Sequence, residues 1–178
     1  RGRRDLEALQ AIVSNRLDKS LLGDAWLCGI IGDRPSHGAR SPALWNAAFS
    51  ELLFPARYLP FDVPPDRLPR LLAALRSSER FLGGSVTEPY KASIIELLDE
   101  VESEARLVGA ANVIYRTPDG RLVGANTDGA GAVRALTRTA AGAVPPLVPE
   151  LAGRRSLLSG AGAVAWVDLF PEGDIQDQ

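Results

Sequence analysis

Little in this chain can bind a metal or form a cross-link. Its 178 residues hold one cysteine, Cys28, and one histidine, His37, which excludes an intrachain disulfide and a closed zinc site of Cys and His ligands. A lone thiol suits a reducing compartment, and a cytoplasmic location is expected. Charge of one sign is also lacking: 20 Lys and Arg face 22 Asp and Glu, a formal net charge of -2, so no broad positive field awaits a nucleic-acid backbone. No apolar run approaches the roughly 18 residues of a spanning helix, and no basic-then-apolar leader opens the chain. Neither nucleic acid nor a membrane is an expected partner. Methionine is absent, the chain opens on Arg1, and it closes on the polar stretch Glu172 to Gln178; an incomplete chain is expected.

What is present is 46% hydrophobic residues, enough to bury a core. Leu6, Leu9, Ile12, Val13 and Leu17 recur at helical spacing and predict a packing helix over 5–22, to which no chemical role falls. Ala25 to Gly32 is continuously apolar, the pattern of a strand covered on both faces. A loop, Asp33 to Ser41, leads to a helix from Pro42. Then follow a strand near Arg57 to Val63, a helix near Pro65 to Arg76, a strand from Phe81 to Val86 and a helix from about Tyr90 to Leu98. Alternation of this kind implies a parallel, layered α/β sheet. Residues 111–127 instead predict a hairpin about Pro118-Asp119-Gly120, followed by a helix from Asp128 to about Ala140. The proline-bearing stretch Ala141 to Pro149 reads as a connector, and Arg154 to Ala165 as a strand running into a glycine-rich turn.

Gly160, Gly162 and Ala165 fit G-x-G-x-x-G/A after an apolar strand, the turn on which a dinucleotide pyrophosphate rests. Yet Trp166 to Phe170 starts a new strand at once, leaving no room for the crossover of about a dozen residues that parallel strands need. Two lysines, Lys19 and Lys91, stand against eighteen arginines. Arginine holds its proton at ordinary pH whereas a desolvated lysine can release it, so a retained lysine points to proton transfer. Lys19 reads as solvated, while Lys91 lies at the exit of a buried strand, where α/β folds place ligands.

Four ordered motifs carry a resemblance: Gly84-Ser85-Val86-Thr87-Glu88-Pro89-Tyr90-Lys91, Leu98-Asp99-Glu100, Val108-Gly109-Ala110-Ala111-Asn112 and Gly124-Ala125-Asn126-Thr127-Asp128-Gly129. With Gly32, Pro35, His37, Ser41-Pro42 and Asn46 upstream, the stretch from about Leu27 to Leu136 resembles shikimate dehydrogenase, and the likeness returns at the Gly160 turn. The resemblance implies a substrate domain over 25–128, preceded by a helix or connector over 1–24. A hinge helix and the start of a Rossmann-like NADP-binding domain over 129–178 follow it. It implies interconversion of 3-dehydroshikimate and shikimate in aromatic amino-acid biosynthesis with NADP as cofactor.

By the same resemblance Lys91 matches the catalytic general acid/base and Asp128 its partner. Ser41 matches a serine that grips the substrate carboxylate. Ser85, Thr87, Asn112 and Asp128 match contacts to the ring hydroxyls, and Gly160, Ala161, Gly162 and Ala163 the cofactor turn. The chain departs from the pattern at several points. The loop Ser36 to Ser41 is one residue longer, and Gly38 stands near where a first serine belongs, with Ser36 and Arg40 the nearest replacements. Ser85 stands where many members carry asparagine, and Trp45 where a histidine usually precedes Asn46. A quinate or aminoshikimate dehydrogenase therefore stays open, as does a sensor that binds a shikimate-like metabolite without turning it over. A homodimer, or a fusion to another enzyme of the pathway, stays open too.

Overall fold

The computed structural model describes residues 2–18 and 24–137 and two strands at 155–159 and 166–170, with side chains over 5–18 and 24–135. Its contacts divide it into two units, Arg1–Asn126 and Thr127–Gln178.

The first unit is built on the apolar run read as a buried strand. β1, Trp26–Gly32, pairs in parallel with β2, Ala56–Asp62, on one side and with β3, Phe81–Val86, on the other. Helices α2, Ser41–Glu51, and α3, Leu68–Ser77, make the two crossovers. On the α3 side Leu71, Leu72 and Leu75 pack with Ile31, Phe61, Phe81 and Ile94 into the main core. The α2 side is thinner: Ile30, Phe49, Ala56 and Tyr58 form a second, small cluster.

The sheet is mixed rather than wholly parallel. The predicted hairpin joins it through β5 (Val113–Arg116), which runs antiparallel to β3, and its tight turn sets β6 (Leu122–Ala125) antiparallel to β5 in turn. A two-residue strand β4, Glu100–Val101, joins β6 in parallel, giving the order β2-β1-β3-β5-β6-β4. Neither β4 nor the six-residue helix α4, Ser103–Val108, is anticipated by the sequence pattern; both are too short to show a period. Arg116 fastens the hairpin to α3, its guanidinium donating to the carbonyls of Leu75, Arg76, Ser78, Phe81 and Gly120. It thereby satisfies helix-end acceptors that have no partner within the helix.

Two predicted helices are shorter than their apolar spacing suggests. The first, α1, spans Gly2–Gln10 and stops there. Ile12, Val13 and Leu17 are buried as expected, but on an irregular segment laid along the open edge of β2. Asn15 bridges two residues of that edge, accepting from the Asp62 N–H at 2.9 Å and donating to the Pro60 carbonyl at 3.0 Å. The Ser14 N–H donates to the Asp62 carbonyl at 2.8 Å. Unpaired edge groups are costly to leave dry, and serving them displaces further helical turns. The second, predicted over Tyr90 to Leu98, is a turn followed by a 3₁₀ segment, Ser93–Leu97. An α-helix would give the Lys91 carbonyl to the N–H of Ile95. Here Ala111 N–H takes it at 2.8 Å, and Ile95 N–H turns to Ala92.

The second unit contains α5, Asp128–Thr137, and the strands β7, Arg155–Ser159, and β8, Trp166–Phe170. β7 and β8 are antiparallel partners, the pairing that a six-residue connection permits. The turn itself, residues 160–165, lies outside the described residues, as do the end of the helix expected to reach Ala140 and the connector after it.

Candidate active site

Parallel β1, β2 and β3 deliver their C-terminal ends to one side of the first unit, and three loops start or end there. The segment after β3 is held by main-chain bonds on every side. Thr87 N–H donates to Ile31 of β1 at 2.9 Å, and Val86 N–H to the Asn112 carbonyl at 2.8 Å. Ala111 N–H holds Lys91, and Asn112 N–H donates to Ala125 at 3.0 Å. The backbones of Thr87, Lys91 and Asn112 are thus drawn together around the ends of β1, β3 and β5. Between them Tyr90 is 3% exposed, and its hydroxyl donates to the Val63 carbonyl at 2.5 Å. Burial above all, with Asp33 and Asp66 adding to it, raises the Tyr90 pKa and keeps that proton in place. Lys91 itself is half-buried.

Ser41 is the first residue of α2, at the end of the loop that leaves β1. That loop opens with a 3₁₀ turn, Pro35–His37, closed by Ala39 N–H on the Pro35 carbonyl at 3.1 Å. Gly38 ends the turn at φ 148°, ψ 0°, a conformation that side-chain-bearing residues rarely adopt. The glycine near the expected serine position therefore follows from the path of the longer loop. Ser36, one candidate to replace the missing serine, turns its hydroxyl onto the buried Asp62 carboxylate. Arg40 is exposed on the loop.

Ser85 sits on the α2 face of the sheet. The Tyr58 hydroxyl donates to its Oγ at 2.8 Å and accepts its N–H at 3.0 Å. Trp45 stacks on Tyr58 with ring centroids 6.1 Å apart. These residues, with Cys28, Phe49 and Tyr115, line an apolar depression of about 300 Å³. Burial pushes the Cys28 thiol up to about 11, so it stays protonated and is no nucleophile. Asn46, beside Trp45, fastens α2 to β2 by exchanging two bonds with the Tyr58 backbone.

Asp128 begins α5 in the second unit. Gly160, Ala161, Gly162 and Ala163 lie outside the described residues. Sequence reasoning passed over Tyr58, Asp62 and Tyr90 as site-forming residues. A single acid closing the apolar run Tyr58 to Val63 was the only signal for Asp62, and its partner lies 26 residues away. Among the described residues no group of His, Cys, Asp and Glu could hold a metal ion, and no helix is long and apolar enough to cross a membrane.

Comparison with known proteins gives this arrangement its relatives. Residues 30–114 match the family model of the shikimate dehydrogenase substrate binding domain. A shikimate dehydrogenase (NADP(+)) of Desulforamulus reducens is 41% identical over 143 residues, 80% of this chain and 46% of that protein. The crystal structure of shikimate 5-dehydrogenase from Listeria monocytogenes in complex with shikimate and NAD aligns with a TM-score of 0.61 at 34% identity, covering 68% of this chain and 41% of that one. A shikimate dehydrogenase crystallised with NADP+ gives 0.61 at 37% identity, over 67% and 40%. The chain spans less than half the length of these relatives. Residues 30–114 thus carry the substrate binding domain of the shikimate dehydrogenase family, and the chain is similar to those enzymes over four fifths of its length.

Proposed function

We propose that this chain serves an NADP-dependent shikimate dehydrogenase, which reduces 3-dehydroshikimate reversibly to shikimate in aromatic amino-acid biosynthesis in the cytoplasm. The observation that carries the reading is the fixing of Lys91. Its carbonyl is held by Ala111, next to Asn112, whose own carbonyl holds the end of β3. The family motif thus sits on a rigid main-chain frame at the strand ends, where an α/β sheet receives its ligand.

NADPH, when bound, would supply the hydride for the ketone carbon and leave as NADP+, and Gly160, Ala161, Gly162 and Ala163 are the residues proposed to hold it. The rest of the chemistry falls to side chains of this chain. A ketone that accepts hydride develops negative charge on oxygen; the Lys91 ammonium stabilises that charge and delivers the proton, and neutral Lys91 removes it in the reverse direction. Asp128 is assigned as the partner of Lys91. Thr87, Asn112 and Asp128 hydrogen-bond the ring hydroxyls, Ser85 contributes from the Tyr58 side, and Ser41 takes the carboxylate. The partner is a small molecule.

The test is NADPH consumption by the complete natural protein with 3-dehydroshikimate. Lys91→Ala is expected to lower turnover by roughly 10²- to 10⁴-fold while leaving cofactor affinity nearly unchanged. Normal turnover in that variant removes Lys91 from the mechanism, and shikimate binding without any NADPH consumption moves the protein to the sensor reading. The Gly38 conformation favours one variant of the proposal. A loop lacking a hydroxyl at that position senses ring substituents differently, so quinate and aminoshikimate belong in the same assay.

A further inference from the structure

We infer that Asp62 is a positioning residue for the substrate-carboxylate loop and acts on it through Ser36; the inference rests on the function proposed above. Asp62 is the last residue of β2 and is 2% exposed. A carboxylate so far from water is costly unless donors surround it, and here both oxygens are spent on one residue of the neighbouring loop. Ser36 N–H donates to Oδ1 at 2.8 Å, and the Ser36 hydroxyl to Oδ2 at 2.5 Å. His37 Nδ1 lies 3.0 Å from the same hydroxyl and 3.8 Å from Oδ2.

The clamp is itself immobilised. The Asp62 N–H donates to Asn15, its carbonyl accepts from the N–H and hydroxyl of Ser14, and the next residue, Val63, donates to the Gly32 carbonyl at 2.9 Å. The loop is therefore fastened at its root by Gly32 and at its middle by Ser36. From Ser36 the path to Ser41 runs through the closed 3₁₀ turn and Gly38, so a shift at Ser36 carries Arg40 and Ser41 with it. With both oxygens committed to Ser36, Asp62 supplies the substrate with geometry rather than with a ligand.

The experiment uses Ser36→Ala, Ser36→Thr, Asp62→Asn and the Ser36→Ala/Asp62→Asn double variant in the complete natural protein. Steady-state oxidation of shikimate is expected to show Ser36→Ala raising the shikimate KM about tenfold, with kcat and the NADP KM near wild type and Ser36→Thr restoring the low value. Asp62→Asn raises the KM as well, and the double variant is no worse than the poorer single one, because both act through one contact. A KM left unchanged in all variants, or a fall in kcat alone, overturns the inference. Because Ser36 is exposed, Ser36→Ala keeps the test open even where Asp62→Asn folds poorly. Should the natural protein not oxidise shikimate at all, it is the proposed function that fails. Hydrogen exchange at residues 36–39 then decides the positioning claim: exchange faster by about tenfold or more in Asp62→Asn upholds the clamp, and unchanged exchange overturns it.

Discussion

Two loops leave neighbouring parallel strands at the same end of the sheet, and they are fixed by different means. The segment Thr87 to Lys91, after β3, is held by main-chain bonds to Ile31 and Ala111 and by the buried Tyr90. The loop Asp33 to Ser41, after β1, is held at its middle by one side chain, Asp62. Main-chain fixing leaves side chains such as Thr87 and Lys91 to be chosen by the chemistry they perform. Side-chain fixing ties the loop to its clamp, so its length and sequence vary only with a matching change in β2.

The largest effect is expected where the rigid frame is struck directly. Gly84 faces Gly29 across the β1–β3 pairing, and a Cβ added there would lie 1.8 Å from the Gly29 carbonyl oxygen. That oxygen is main chain in a central strand and has nowhere to move. Gly84→Ala is expected to cost about 3 kcal/mol or more, read as a lowered urea midpoint, and to remove activity with it. An unchanged midpoint would show that β3 tolerates a shift, and would break the claim that the Lys91 frame is rigid.

Gly38 makes the contrasting case. A Cβ there meets nothing within 4 Å, yet φ is +148°, so the obstacle is the backbone angle and not space. Gly38→Ala is expected to cost about 1–3 kcal/mol, confined to the loop. Shikimate KM should rise while the NADP KM stays put. Gly38→Ser should behave alike and not recover a carboxylate contact; a gain in shikimate affinity would refute the idea that the longer loop dictates glycine.

The same contrast explains how much was legible in the sequence. β1, β2, β3, α2 and the hairpin announce themselves by apolar runs and turn residues, and the motif around Lys91 by its order. The helices expected over 5–22 and 90–98 were cut short by partners that periodicity does not register, the edge groups of β2 and the Ala111 N–H. Ser85 read as a substrate contact, and nothing local signalled that Tyr58, 27 residues away, would engage it. Asp62 went unnoticed for the same reason: a clamp is a relation between two distant positions, and a lone carboxylate at a strand end looks like any other.

The smallest expected effect tests whether burial is what separates a clamp from a decoration. The frame that begins at Thr87 is closed at its far end by another carboxylate, Asp99, which lies at the surface. It accepts the Leu122 N–H at 2.8 Å and the Arg76 guanidinium at 3.1 Å and 3.2 Å. The Leu122 N–H foremost, and Arg76 after it, outweigh desolvation and hold the Asp99 pKa below its ordinary 3.8. A carboxylate depressed in the folded state stabilises it fully above the unfolded value and loses that contribution as pH falls through the folded one. Asp99→Asn should therefore lower the urea midpoint slightly at neutral pH, and the gap from wild type should close at pH well below 3.8. A gap that persists in acid would mean that Asp99 acts through shape and not through charge. A large gap at neutral pH would mean that an exposed carboxylate clamps as strongly as buried Asp62, and burial would no longer account for the difference between the two loops.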